Sequence, residues 1–267
     1  TLRPNAPGDI TELLKSGTGG SNWDRVDEAS SDGDATYVYS DTTGYDYDIY
    51  NFPNSGVGAG EINSVTLFYR VRASTRPENV YCAPRLKTHG LVYGEYDWIY
   101  LGTGYTLKSN VYPTNPDTEA AWTWTEINDL QAGVMLCPYY AVLQALYCTQ
   151  VYVEVDYTPA VSAPTVTTQA ATNVQATTAR LNGQISNDGG EACQYRFRYK
   201  KSGGSYIYTT WAGAKTTGQT FYENISGLDK KSLYYFNAQA KNSAGESAWG
   251  GELSFTTLAT TPVVSTQ

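Results

Sequence analysis

The sequence predicts an all-β protein of two sandwich domains. Three observations carry this. Tyr is heavily over-used, at 24 of 267 residues, and Met occurs once; aromatic and β-branched residues suit pleated, half-buried surfaces. The 25 Gly and 11 Pro punctuate the chain as turns between short segments in which apolar and polar residues alternate. A repeat is also present. Pro262-Val263-Val264-Ser265-Thr266-Gln267 matches Pro164-Thr165-Val166-Thr167-Thr168-Gln169, 98 residues upstream, with four identities. A period of about 100 residues is the length of one sandwich module, and repeats at that spacing signal an array.

Residues 1–157 read as the first domain. Alternation marks strands at Thr36-Tyr37-Val38-Tyr39, at residues 45–50, at residues 62–71 and at Val80-Tyr81-Cys82. Further strands are expected at residues 85–88, 98–101, 107–112 and 149–157. In the last, Val151, Val153 and Val155 share one face, and Gln150, Tyr152, Glu154 and Asp156 the other. Thr123-Trp124-Thr125-Glu126 is a capping box, so a short helix is expected with Thr123 as N-cap. Ile127 and Leu130 would face inward, and Gly133 would stop it. About eight antiparallel strands with one helical turn suggest a jelly-roll sandwich. Residues 158–163 contain Pro159 and are flanked by Pro164, which predicts a semi-rigid linker. Residues 164–257 form the second domain, and residues 258–267 a tail resembling the first strand of a further module.

The second domain resembles bacterial fibronectin type III modules. Ala179-Arg180-Leu181-Asn182-Gly183 followed by Gly189-Gly190 looks like strand B and its turn into strand C, continued by Tyr195-Arg196-Phe197-Arg198-Tyr199. Ile225-Ser226-Gly227-Leu228, Tyr234-Tyr235-Phe236 and residues 238–246 resemble strands E, F and G, and Phe255-Thr256-Thr257 closes strand G. The resemblance implies a tyrosine corner: Tyr234 buried, its hydroxyl bonded to backbone near Leu228. Leu181 stands where animal modules carry a core Trp. The first domain is similar to a family of bacterial and phage-associated structural proteins. The likeness lies in Leu2-Arg3-Pro4-Asn5, Trp23-Asp24, Val26-Asp27-Glu28, Lys87-Thr88-His89-Gly90, Ala121-Trp122-Thr123-Trp124, residues 130–134 and residues 149–157. A jelly roll followed by immunoglobulin-like repeats also resembles subunits of extracellular fibrils from environmental water.

The net charge of −8 argues against nucleic acid and anionic membranes as partners. No apolar run is long enough to span a bilayer, and no signal peptide is visible. Only 16% of residues are charged, which fits an extracellular or virion-surface location. No nucleophile elbow, HExxH or P-loop is present, and the single histidine, His89, reads as a turn or packing residue. Catalysis is therefore not expected, nor is a cofactor. The acidic run Asp24, Asp27, Glu28, Asp32, Asp34 and Asp41 includes a short Asp32-Gly33-Asp34 turn, a candidate Ca²⁺ site whose alternative is a solvated acidic loop. Cys137 and Cys148 would face each other if their strands form a hairpin, making them a disulfide candidate in an oxidising compartment; four buried thiols are the alternative. Asn224-Ile225-Ser226 is the one N-glycosylation sequon, and Thr residues at 257–261 are O-glycan candidates. Tyr45, Tyr47, Tyr50, Tyr69, Tyr139, Tyr140, Tyr206 and Tyr208 would stack on sugars, fill an interface or fill the core.

These readings lead to one functional expectation. The chain is a non-enzymatic structural subunit that joins other copies of itself head to tail in a fibre or surface array through strand addition. Two segments are expected to be surplus to the sandwiches and so free to pair with a neighbour. One is residues 1–14, with Ile10, Leu13 and Leu14; the other is the tail, with Pro262, Val263 and Val264. The alternative is a carbohydrate-binding module of a secreted or phage-tail adhesin, with glycans as partners.

Overall fold

The computed structural model describes residues 1–74, 80–95, 98–138 and 144–259. The chain divides at Thr158 into two compact units, each with its own hydrophobic cluster. Among the described residues no helix is long and apolar enough to cross a membrane.

The first unit begins with β1 (Ala6–Thr11), β2 (Leu14–Lys15), β3 (Val38–Ser40) and β4 (Asp46–Asn51), followed by β5 (Glu61–Ala73) and β6 (Val80–Thr88). The short β7 (Leu91–Tyr93) and β8 (Trp98–Ile99) lead to β9 (Thr106–Tyr112), the helix α1 (Trp124–Asp129), β10 (Gln131–Cys137) and β11 (Leu146–Thr158). One sheet runs β2-β3-β11-β5-β9 and the other β1-β4-β10-β6-β7, with β8 beside β6. Setting aside β1, β2 and β8, eight strands remain. Their first and last members, β3 and β11, are neighbours, and β4 and β10 are neighbours in the opposite sheet. That interleaving is the jelly roll, two Greek keys wrapped into a sandwich. Inner faces contribute Val65, Leu67 and Val71 from β5, Val151 and Val153 from β11, and Ala132, Val134 and Leu136 from β10. The alternation seen in β5 and β11 is thus the division between core and outer face.

Several elements differ from the sequence-based expectation. Residues 80–88 form one strand rather than two. Pro84 interrupts the alternation but sits where β6 lies between its partners β7 and β8, which cover residues 86–88 and 80–81. The missing N–H there breaks no ladder bond. Residues 1–14 are not surplus. Leu2 exchanges two backbone hydrogen bonds with Val153, at 2.7 and 2.9 Å, β1 pairs with β4, and Leu13 is buried in the core. The helix ends at Leu130, whose backbone is extended, and Gly133 lies inside β10. A Cβ on Gly133 would stand 1.9 Å from the Asp48 carbonyl oxygen of β4, so this glycine serves close strand approach. The capping box itself is present, with the Thr123 hydroxyl accepting the Glu126 N–H and Glu126 accepting the Thr123 N–H. Ile127 and Leu130 are buried.

The second unit comprises β12 (Thr165–Thr172), β13 (Thr178–Asn187), β14 (Cys193–Lys201), β15 (Ile207–Tyr208) and β16 (Ala212–Lys215). It continues with β17 (Thr220–Ser226), β18 (Leu233–Asn242), β19 (Gly245–Glu246) and β20 (Leu253–Thr256). A three-stranded sheet, β12-β13-β17, faces a sheet in which β14 and β18 are central, β15 and β16 flank β14, and β19 and β20 flank β18. This is the fibronectin type III arrangement, A-B-E over C′-C-F-G. Leu181, Ile185, Phe197, Phe221, Phe236 and Phe255 fill the core. The expected linker is shorter than residues 158–163. The Ser162 N–H donates to the Gly189 carbonyl at 2.9 Å, and Asn242 Nδ2 donates to the Ser162 carbonyl at 2.7 Å. Gly189, at φ +71°, leaves no room for a Cβ against that carbonyl.

Candidate functional site

An edge strand and a polar cleft of the first unit are candidate surfaces. The edge is β9. It pairs with β5 over all seven residues without a register shift, from Val65↔Tyr112 to Val71↔Thr106, and is the last strand of its sheet. Among the described residues its other side is unpaired. Leu107 and Val111 are 38% and 58% exposed. Both lie on the outer face, since their cross-strand partners Arg70 and Thr66 alternate with the buried Tyr69, Leu67 and Val65. Beside them Phe68 stacks on Tyr152 with ring centroids 4.7 Å apart. Arg3 lies over the Tyr152 ring at 5.0 Å. A straight edge flanked by exposed apolar groups is a template for a further strand. Lys108, on the opposite face, is the one charge β9 carries.

The cleft, of about 370 Å³, is lined by Asp9, Lys87, His89, Glu126, Asp129 and Gln131 among others. His89 and Gly90 form the two-residue turn from β6 to β7, with φ of 51° and 85°. Left-handed geometry at both positions is what a tight hairpin turn demands. The imidazole lies between two carboxylates, with Nδ1 3.6 Å from Asp117 and Nε2 3.5 Å from Glu126. Neither acid is free. Glu126 accepts from Thr123 N–H at 2.7 Å, from the Thr123 hydroxyl at 2.9 Å and from Asn115 Nδ2 at 2.8 Å. Asp117 accepts the Tyr93 hydroxyl. These bonds fasten a loop, a hairpin turn and the start of α1 to each other. The Thr88 hydroxyl also stands beside the imidazole, 3.1 Å from Nδ1, and itself accepts from Asn115 Nδ2 at 3.1 Å. Asp117 and Glu126 were not picked out with His89 from sequence, because only the closure of the sandwich brings α1 beside the β6–β7 turn. The one available signal was the capping box, which placed Glu126 at a helix start.

The remaining predicted residues are distributed as follows. Asp32 and Asp34 have different partners. Asp34 is held by Arg72, with Nε at 3.0 Å and Nη2 at 2.8 Å, and by the Tyr105 hydroxyl; the guanidinium holds its carboxyl below the ordinary range. Asp32 accepts the Thr36 and Thr149 hydroxyls. Among the described residues no group of three or more His, Cys, Asp or Glu side chains gathers as a metal site. The Cys137–Cys148 disulfide is not formed. The two residues belong to opposite sheets, β10 and β11, which are not a hairpin, and all four cysteines are buried free thiols. Asn224 is exposed on the edge strand β17, its carbonyl oxygen accepting from Arg180 Nε at 3.1 Å. Of the N-terminal assembly candidates, Leu13 is core, Ile10 is half-buried on β1, and Leu14 is exposed on β2. Pro262, Val263 and Val264 lie outside the described residues, as do Tyr139 and Tyr140. Tyr50 and Tyr69 are core residues, while Tyr45 and Tyr208 are exposed. Tyr234 is buried, and its hydroxyl accepts the Asp229 N–H at 2.8 Å, one residue beyond Leu228.

No family model matches the sequence, and no curated protein matches it. Similar solved structures include the sensor domain of the anti-sigma factor RsgI4 from Pseudobacteroides cellulosolvens, at 16% identity over 39% of this chain and 98% of that one, with a TM-score of 0.32. A fibronectin type III domain of the human KIAA0970 protein has 18% identity over 37% of this chain and 77% of its own, with a TM-score of 0.29. A β-1,2-glucanase from Parabacteroides distasonis has 12% identity over 97% of this chain and 37% of its own, with a TM-score of 0.32. Strand order and register, rather than these likenesses, define the fold.

Proposed function

We propose that this chain is a non-enzymatic structural subunit whose copies join head to tail by strand addition, in an extracellular fibre or a virion-surface array. The observation that carries the reading is the exposed edge of β9, flanked on its outer face by Leu107 and Val111. Main-chain groups along such an edge give affinity, and alternate side chains give register. The donor is an extended segment of a second copy. The sequence best suited to it is Pro262-Val263-Val264-Ser265-Thr266-Gln267, which repeats the start of the edge strand β12. Residues 1–14, used within their own sandwich, are not donors. The resemblance of the sequence to phage-associated structural proteins and extracellular fibril subunits supports the same reading. A carbohydrate-binding adhesin is the second reading; the Phe68–Tyr152 stack is the observation in its favour.

The test is the double variant Leu107→Lys/Val111→Lys. Charges on an exposed edge block strand addition, while surface changes of this kind alter stability by only about 0.5 kcal/mol. Electron microscopy and sedimentation should show assemblies for the wild type and none for the variant, with the same melting temperature. Assemblies of unchanged geometry from the variant would overturn the proposal. A monomeric wild type that retains ligands on a glycan array would put the second reading first.

A further inference from the structure

Charge is divided unequally along this chain. Residues 1–158 hold twenty acidic and nine basic side chains; residues 159–267 hold six acidic and nine basic. The first unit is therefore at −11 and the second at +3, which together give the −8 of the whole. In residues 24–46 alone seven carboxylates stand against one cation, Arg25.

Four of the nine cations of the second unit, Arg196, Arg198, Lys200 and Lys241, gather on one sheet face. Arg196, Arg198 and Lys200 alternate along the outer face of β14, while Phe197 between them is core. At two residues per repeat they stand roughly 6.6–7 Å apart. Aromatic rings lie between the cations. Lys241 and Arg196 are over Trp211 at 4.6 and 4.3 Å, Arg196 and Arg198 are over Trp249 at 5.3 and 4.3 Å, and Arg198 and Lys200 are over Tyr206 at 4.2 and 4.4 Å. The result is one continuous ladder in which ring and cation alternate. The rings hold the cations in place and shed part of their water. Two carboxylates touch the ladder: Glu246, 3.2 Å from Arg196, and Glu252, which accepts the Tyr206 hydroxyl. Arg198 donates from Nε to the Asn237 amide oxygen at 3.1 Å. Among the described residues no carboxylate pairs with Arg198, Lys200 or Lys241.

We infer that this ladder is a docking surface for the acidic first unit of a second copy. The inference rests on the assembly reading and adds direction to it. The Arg196 edge is taken by Gln239 Oε1, at 2.9 and 2.7 Å, and by Glu246, so a partner meets the remaining N–H groups of Arg198 together with Lys200 and Lys241, and these suit carboxylates. The same chain supplies the complementary charge in its first unit, where Asp32, Asp34 and Asp41 are exposed. A contact between the second unit of one copy and the first unit of the next is heterologous, so it propagates in one direction. Opposite charge also steers the encounter and makes its rate dependent on salt.

The experiment compares the full-length wild type with Arg198→Glu/Lys200→Glu by sedimentation velocity and electron microscopy, at about 50 mM and about 500 mM salt. Wild-type association should weaken at the higher salt, and the variant should associate at least tenfold more weakly at the lower. The variant keeps its acidic first unit, so a small proportion mixed with wild type should cap growing assemblies and shorten them. A second variant, Lys200→Glu/Lys241→Glu, leaves the Arg–Trp stacks in place and serves if the first loses its fold. Association of either folded variant at wild-type strength, or association indifferent to salt, would overturn the inference. If Leu107→Lys/Val111→Lys abolishes assembly while both ladder variants assemble normally, the edge reading stands and the ladder is structural. A wild type that stays monomeric defeats both, and retention on dextran sulfate that the ladder variants lose would then make an acidic polymer the occupant.

Discussion

Asp48 shows how a single buried carboxylate can place a whole segment. It accepts the backbone N–H groups of Glu12 and Leu13 at 2.8 and 2.9 Å, Asn22 Nδ2 at 2.6 Å and the Tyr50 hydroxyl at 3.1 Å. Those bonds tie the β1–β2 junction and the turn at Asn22 to β4. Burial nevertheless outweighs them, and the carboxyl is raised above its ordinary 3.8. An acid raised on folding binds more protons folded than unfolded, so its contribution is present below 3.8 and is lost as pH rises through the raised value. Asp48→Asn should therefore cost about 1–3 kcal/mol, and the cost should shrink from about pH 4 to about pH 7. Denaturant titrations at the two pH values measure this; a penalty that grows with pH would mean that the hydrogen bonds win. The cysteines make a second prediction at this scale. Burial pushes the Cys148 thiol up to about 12 and the Cys82 thiol well above its usual value. A thiol reagent should label four groups only after unfolding, and a reductant should leave the melting temperature unchanged. A protein that shows fewer than four thiols when unfolded would restore the disulfide.

At the scale of elements, glycine and proline did different work from the punctuation their sequence positions suggested. Pro84 lies inside a strand because, among the described residues, neither β7 nor β8 pairs with it on that side of β6. Gly133 lies inside a strand because β10 and β4 approach too closely for a side chain. Gly133→Ala should cost about 1–3 kcal/mol, the range for overpacking, whereas a helix-stop glycine at an exposed end would tolerate Ala far better. A thermal melt of the variant within error of wild type would refute the close-approach role. The capping box, by contrast, needed no tertiary partner to be found, since its two bonds are local.

At the scale of the molecule, the two units have separate cores, so damage to one should leave the other intact. Tyr234→Phe removes the acceptor of the Asp229 N–H in the second unit and should cost about 1–3 kcal/mol there. Calorimetry should show two transitions, with Tyr234→Phe lowering one and Asp48→Asn the other. A single transition lowered equally by both would show that the units unfold together.

Much of the architecture was legible without coordinates. Period-two alternation placed β5, β9 and β11, and the tyrosine corner and the glycine turn located the second sandwich, because these signals are local and repeat with the geometry of a strand. The N-terminal segment was misread because β1, Ala6-Pro7-Gly8-Asp9-Ile10-Thr11, carries almost no apolar alternation. Its place is set by Asp48 and by Leu2 on Val153, partners far away in sequence. The cysteine pairing failed for a related reason: β10 and β11 are consecutive in sequence yet lie in opposite sheets of the jelly roll, so the loop between them does not close a hairpin. The polar cleft and the bare edge of β9 also belong to the tertiary structure alone. Which strand ends a sheet, and which carboxylates meet a turn, depends on how distant strands pair. Local sequence determines that strands, turns and one capped helix form; long-range pairing decides which of their faces and edges remain open to a partner.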